Sequence, residues 1–193
     1  MNVNLIGYHG TSREAANLIT QNKCFKKSKK EDEWLGHGVY FYELIEKAKW
    51  WSEKKKDPVV IETPITVSEE KFINFDLPSA EDALGNFIIE IQKDDAFLFI
   101  NFDLPSAEDA LGNFIIEIQK DDAFLFSDYE MERRCQTFNM YAGAMGAQVA
   151  KATFQSTNKL HKKQFKKIGY IRTEVQICVY DTDCISYNGL KIK

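Results

Sequence analysis

At 193 residues the chain has room for one domain with a full core, and 44% hydrophobic with 28% charged residues is ordinary for a soluble globular protein. No apolar run is long enough to span a bilayer, and residues 1–8 lack the charged start and long apolar centre of a signal peptide, so a cytoplasmic protein with no membrane partner is expected. The net charge of −4 is unevenly spread, with the acids concentrated in the middle and a basic excess after residue 127.

Residues 4–9 predict a first strand, and Thr11 with Glu14 three positions on predicts a capping box for a helix over about residues 12–22. Lys26 to Lys30 reads as a solvated loop able to touch a polyanion. Gly36 and Gly38 then bracket His37 ahead of Val39-Tyr40-Phe41-Tyr42, whose β-branched and aromatic content predicts a strand that delivers rings to a cleft. A helix starting near Glu43 carries Ala48, Trp50 and Trp51, with Trp50 expected simply to pack on the helix face. Residues 58–67 predict another strand and residues 72–75 a short one.

Residues 73–99, INFDLPSAEDALGNFIIEIQKDDAFLF, recur unchanged as residues 100–126. Solenoid repeats drift in sequence, so perfect identity over one pair points to a recent in-frame duplication or a cloning event rather than to a repeat architecture. Ser79 and Ser106 are natural N-caps, with Asp82 and Asp109 in the first turn of helices near Ala80 and Ala107 running about three turns. One copy fills the place the fold provides; the other loops out, packs as an extra helix, or exchanges between molecules. A long surface insertion costs little closure entropy, so the fold need not be lost.

Residues 128–135 predict a helix, while residues 139–155 are rich in Ala and Gly and fit no one element. Basic residues cluster over 159–167, followed by a strand over 171–180 and a last strand around 185–187. Cys24, Cys135, Cys178 and Cys184 show no CxxC spacing and read as reduced thiols or core residues. With only His9, His37 and His161 beside them, no structural metal site is expected.

Tyr8-His9-Gly10-Thr11 on the first strand, Gly36-His37-Gly38-Val39-Tyr40-Phe41 on the second and Glu174 on a late strand together resemble the His-Tyr-Glu signature of ADP-ribosyltransferases. The class is that of diphtheria toxin and the poly(ADP-ribose) polymerases. The resemblance implies an α+β fold over residues 1–193, in which two small, mainly antiparallel sheets with flanking helices form an NAD⁺ cleft, the duplicated strand-helix segment being an insert. It further implies that His9 bonds the adenosine ribose, that the Gly10 backbone grips the nicotinamide amide, that Thr11 shapes that edge, and that Gly38 opens the strand whose Tyr40 stacks on the nicotinamide ring. Relatives often place a Ser and a second ring eight and eleven residues after the Tyr; here those positions are Ala48 and Trp51. Trp51 supplies the other face of an aromatic sandwich for the cationic pyridinium, whereas Ala48 cannot donate, which passes the carboxamide contact to backbone groups and Thr11.

Cleaving the nicotinamide glycosidic bond develops an oxocarbenium-like ribose, and Glu174 is expected to answer that charge and to orient the acceptor. Gln176, two residues on and therefore on the same strand face, assists it or replaces it as the key group. By resemblance, the loop before that strand faces the acceptor. Lys162, Lys163 and Lys166, with Tyr170 and Arg172 behind them, suit a phosphodiester backbone with stacked bases, and suit an acidic protein as well. The expectation is a metal-independent, mono-ADP-ribosylating toxin of the toxin–antitoxin or phage-defence type, with NAD⁺ as co-substrate, RNA ahead of DNA or protein as acceptor, and an antitoxin protein as partner. The rivals are an RNA 2′-phosphotransferase, for which Arg13, Arg133, Arg134 and Arg172 are few arginines, and a module that binds NAD⁺ or ADP-ribose without catalysis.

Overall fold

The computed structural model describes residues 1–93, 130–156 and 162–193. The second repeat copy, with Ser106, Ala107 and Asp109, lies outside the described residues, as does His161. Among the described residues the α+β class holds. Seven strands, β1 (Asn2–Ser12), β2 (Val39–Tyr42), β3 (Pro58–Ser68), β4 (Phe72–Asn74), β5 (Val149–Gln155), β6 (Thr173–Val179) and β7 (Lys191–Ile192), alternate with helices α1 (Arg13–Asn22), α2 (Ile45–Ser52), α3 (Pro78–Lys93), α4 (Glu130–Ala144) and α5 (Lys162–Lys167). No helix among the described residues is long and apolar enough to cross a membrane.

The strands form one sheet in the order β4-β5-β6-β2-β1-β3-β7, which corrects the expectation of two separate sheets. The physical reason is a single residue pair, Tyr8 with Tyr42, at which β1 meets β2. On either side the ladders are long. β1 pairs with β3 from Asn2↔Ser68 to Ser12↔Pro58, and β5 pairs with β6 from Val149↔Val179 to Gln155↔Thr173. Continuity therefore makes one sheet, while hydrogen bonding leaves two halves with a parting between them.

Strand alternation divides the core in two. On one face Phe25, Val39, Phe41, Ile61, Ile65, Ile177 and Val179 pack with Ala16 of α1. On the other, Leu35, Phe75, Phe87, Ile91, Met140, Tyr141, Ala150 and Cys178 pack, with α3 and α4 covering β4, β5 and β6. α2 lies against β1 and β3, where a Cβ on Gly10 would collide with the Ala48 carbonyl; glycine there lets the helix sit directly on the strand.

Several boundaries differ from the sequence reading. α1 is capped by Ser12, whose hydroxyl accepts from Ala15 N at 3.2 Å, and not by Thr11, which is buried as the penultimate residue of β1. α3 starts at Pro78, whose missing N–H is harmless in a first turn, so Ser79 lies inside the helix; at 16 residues α3 exceeds three turns. The Ala- and Gly-rich stretch divides into the end of α4 and all of β5. After β6 the chain closes with two 3₁₀ turns, Thr182–Cys184 and Tyr187–Gly189, and the short β7 instead of a strand at 185–187; Ile185 makes only an isolated bridge to Ile65. Ser12→Ala should lower stability by about 1 kcal/mol in urea unfolding, the usual loss for a removed N-cap.

Candidate functional site

Beyond Tyr8↔Tyr42 the ladder between β1 and β2 ends, and a side chain bridges the parting. The His9 ring stands among Phe25 and Phe41, with centroids 5.4 and 5.7 Å away. Its Nδ1 lies 2.8 Å from the Tyr40 carbonyl. A carbonyl only accepts, so Nδ1 carries the proton, and in the neutral ring Nε2 is left as an acceptor. Burial lowers the ring's pKa below its ordinary 6.5; the Tyr40 bond opposes that shift and Lys55 adds to it.

The parting opens into a cleft of about 300 Å³, lined from both halves of the sheet by His9, Gly10, Thr11, Gly38, Tyr40, Trp51, Glu174 and Gln176. Every residue proposed from sequence for the cofactor and the chemistry therefore reaches one cavity. Tyr40 stands opposite Cys178, and Tyr42 opposite Gln176, in the β2–β6 register, so these side chains and Glu174 share one face. The Tyr40 hydroxyl does not point free. It accepts from Leu35 N at 2.8 Å and donates to the Gly36 carbonyl at 2.6 Å, which fixes the ring plane and folds the preceding loop, where Gly36 takes φ +81°. Burial foremost keeps the Tyr40 and Tyr42 hydroxyls protonated, with the Glu174 charge adding to the effect on Tyr42. Trp51 lines the cleft and is 43% exposed, whereas Trp50 does not line it and lies beneath Lys54.

Glu174 is buried, its side chain only 2% exposed. Oε2 accepts from Lys47 Nζ at 3.2 Å and Oε1 from Gln176 Nε2 at 3.3 Å. Lys47 also donates to Ser156 Oγ at 2.9 Å, tying α2 to the end of β5. Gln176 thus lies beside Glu174 and donates to its carboxylate. The sequence reading missed Lys47, although its four-residue spacing from Trp51 puts the two on one helix face. It also missed Trp34, which lines the cleft with one face under the Arg134 guanidinium, 4.3 Å from the ring centroid, and Phe154 against it at 4.5 Å. Lys26, Lys30 and Lys55 are among the lining residues, as is Glu33, so the loop read as solvated borders the cavity.

Of the residues proposed for the acceptor, Gln176 lines this cleft and Lys166, Tyr170 and Arg172 do not. Lys162, Lys163 and Lys166 belong to α5, and Arg172 lies over the Phe165 ring at 5.0 Å, with Tyr170 against that ring at 5.1 Å. The Arg172 carbonyl accepts from Ser156 N at 2.9 Å, and Ser156 Oγ accepts from Lys47. Among the described residues no group of three His, Cys, Asp or Glu side chains is placed to hold a metal.

No family model matches the chain, and no solved structure matches it. Over 85 residues it is 33% identical to a protein of Methanocaldococcus jannaschii described only as uncharacterized; the match covers 40% of this chain and 39% of that protein.

Lys47→Met should cost about 3 kcal/mol in urea unfolding, because it leaves a buried carboxylate without its counter-charge, and adding Glu174→Gln should recover most of that loss. Because the folded His9 ring resists protonation, the unfolded chain binds the extra proton. His9 should therefore contribute full stability above about pH 7.5 and progressively less as pH falls through 6.5. His9→Gln should flatten that part of the stability–pH curve.

Proposed function

We propose that the protein transfers ADP-ribose from NAD⁺ to a nucleic acid, RNA ahead of DNA, in the manner of a compact mono-ADP-ribosylating toxin. The observation that carries this reading is the convergence of His9, Tyr40, Trp51 and a buried, ion-paired Glu174 on one cleft. A pyridinium between the Tyr40 and Trp51 rings gains stacking and cation–π attraction, and the fixed Tyr40 plane means that little order is lost on binding. The neutral His9 ring suits a ribose hydroxyl donor at Nε2, and Lys26, Lys30 and Lys55 suit the diphosphate.

In the reaction the bond from C1′ of the nicotinamide ribose to the ring nitrogen breaks. The pair of electrons leaves with nicotinamide, which departs neutral, and the ribose becomes oxocarbenium-like. The Glu174 carboxylate answers that charge and accepts from the 2′-hydroxyl, while Lys47 and Gln176 hold it in place. An acceptor hydroxyl or ring N–H then attacks C1′, the new bond replaces the one to nicotinamide, and the acceptor's proton passes to water. The Lys-rich α5, with Tyr170 exposed beside Phe165, supports a nucleic-acid acceptor because it offers charge for phosphates and a ring for stacking.

Incubation with NAD⁺ labelled on the adenylate, and with separate RNA, DNA and protein pools, should place label on RNA and release nicotinamide. Glu174→Ala should abolish both. Label confined to protein would overturn the acceptor, and no nicotinamide release in any pool would overturn the activity.

A further inference from the structure

The duplication reaches one residue further than the two copies alone. Phe72 precedes the first copy as Phe99 precedes the second, so the whole of β4 and α3, residues 72–93, has a residue-for-residue counterpart in residues 99–120. We infer that the berth made by β5 and α4 is a docking site that accepts either segment of the same chain.

The contacts that hold the occupant all have duplicates. Phe75, Phe87 and Ile91 bury their side chains against α4, with Phe75 5.0 Å from the Phe138 ring and Phe87 5.2 Å from Tyr141; their counterparts are Phe102, Phe114 and Ile118. Asp76 Oδ1 accepts from Thr153 N at 2.8 Å, and Asp103 is its counterpart. β4 runs parallel to β5 from Phe72↔Val149 to Asn74↔Lys151, and Phe75 N donates to the Lys151 carbonyl at 2.8 Å. These are backbone bonds that Phe99 to Phe102 can make equally. At the entrance Gln148 N donates to the Lys71 carbonyl at 2.9 Å; in the alternative arrangement Leu98 supplies a carbonyl there. A berth that reads only these groups cannot tell the segments apart.

Only the connections differ between the arrangements. With the first segment docked, residues 94–129 join α3 to α4; with the second docked, residues 72–98 join Lys71 to the berth and residues 121–129 lead on to α4. The first arrangement closes one loop of 36 residues and the second closes two, of 27 and 9, so by the logarithmic rule the second is the less populated, by about twenty-fold together with the fixed cost of one more closure. Occupancy matters to the cleft because α4 carries Asn139, whose Oδ1 accepts from His37 N at 2.6 Å and so holds the loop beneath Tyr40. Either segment, once docked, supports that helix. The inference concerns packing and does not depend on the proposed reaction.

The test uses Phe87→Asp, Phe114→Asp and both together in the full chain. Phe87→Asp alone should lower the folding equilibrium constant clearly less than the pair does, because the second segment takes the berth and only the cost of the added loop closure is lost. The pair should lower it on the order of a hundred-fold or more, as a charge buried among rings does. Phe87→Asp also makes the otherwise identical peptides distinguishable by mass, so amide exchange should show protection in residues 99–120 of that variant. Removing residues 100–126 should leave a cooperatively folding protein, and adding Phe87→Asp to it should be as damaging as the pair. A Phe87→Asp protein as destabilised as the pair, or a pair as stable as either single variant, would overturn the inference. A dimeric Phe87→Asp protein on size exclusion would overturn docking within one chain.

Discussion

The bond from His9 to the Tyr40 carbonyl stands where a ladder bond would continue an ordinary sheet, and the cleft exists because it replaces one. β1 and β2 meet at Tyr8 and Tyr42 and then part, so groups from both faces and both halves of the sheet border the same space. A fully paired junction would bury these edges. A wider parting would leave the backbone groups of two strands unsatisfied. The imidazole meets the need of one carbonyl and keeps its remaining nitrogen as an acceptor, and burial favours the neutral ring that this arrangement requires.

Around that parting each wall has its own support. α2 is seated on Gly10 and carries Lys47 to Glu174 and Trp51 to the cleft edge. α4 holds the Gly36–His37 turn through Asn139, and Tyr180 holds the Leu35 carbonyl at 2.7 Å. The buried ion pair adds little net stability, since bringing both charges out of water costs about what their attraction returns. What it does fix is position, leaving Glu174 one arrangement between Lys47 and Gln176. A carboxylate that has to meet a developing positive charge gains from being immobile beforehand.

Local chemistry in the sequence carried much of this. Val39–Tyr42 reads as a strand because it is β-branched and aromatic, and Pro58–Ser68 for similar reasons. The motif residues His9, Tyr40 and Glu174 do meet in one cavity. Illegible were the features that depend on partners far along the chain. A single pair joining two half-sheets leaves no trace in periodicity. The ion pair of Lys47 with Glu174 spans 127 positions, and only the four-residue spacing of Lys47 from Trp51 hinted at it. The Ala-rich stretch over 139–155 hid a helix end and a strand because its small residues suit close packing in either. Thr11 looked like a cap because Glu14 follows at the right distance, yet β1 runs on one residue further and hands that role to Ser12.

On the proposed reaction, NAD⁺ enters this cleft with its labile bond beside Glu174. Calorimetric titration of NAD⁺ into the wild-type protein and into Glu174→Gln, paired with nicotinamide release from each, tests it most directly. The account predicts dissociation constants within about three-fold of each other and a loss of turnover on the order of a hundred-fold or more, since a group that acts mainly in the transition state contributes little to ground-state binding. A folded wild-type protein that takes up no NAD⁺, or a Glu174→Gln protein that releases nicotinamide at the wild-type rate, would contradict it.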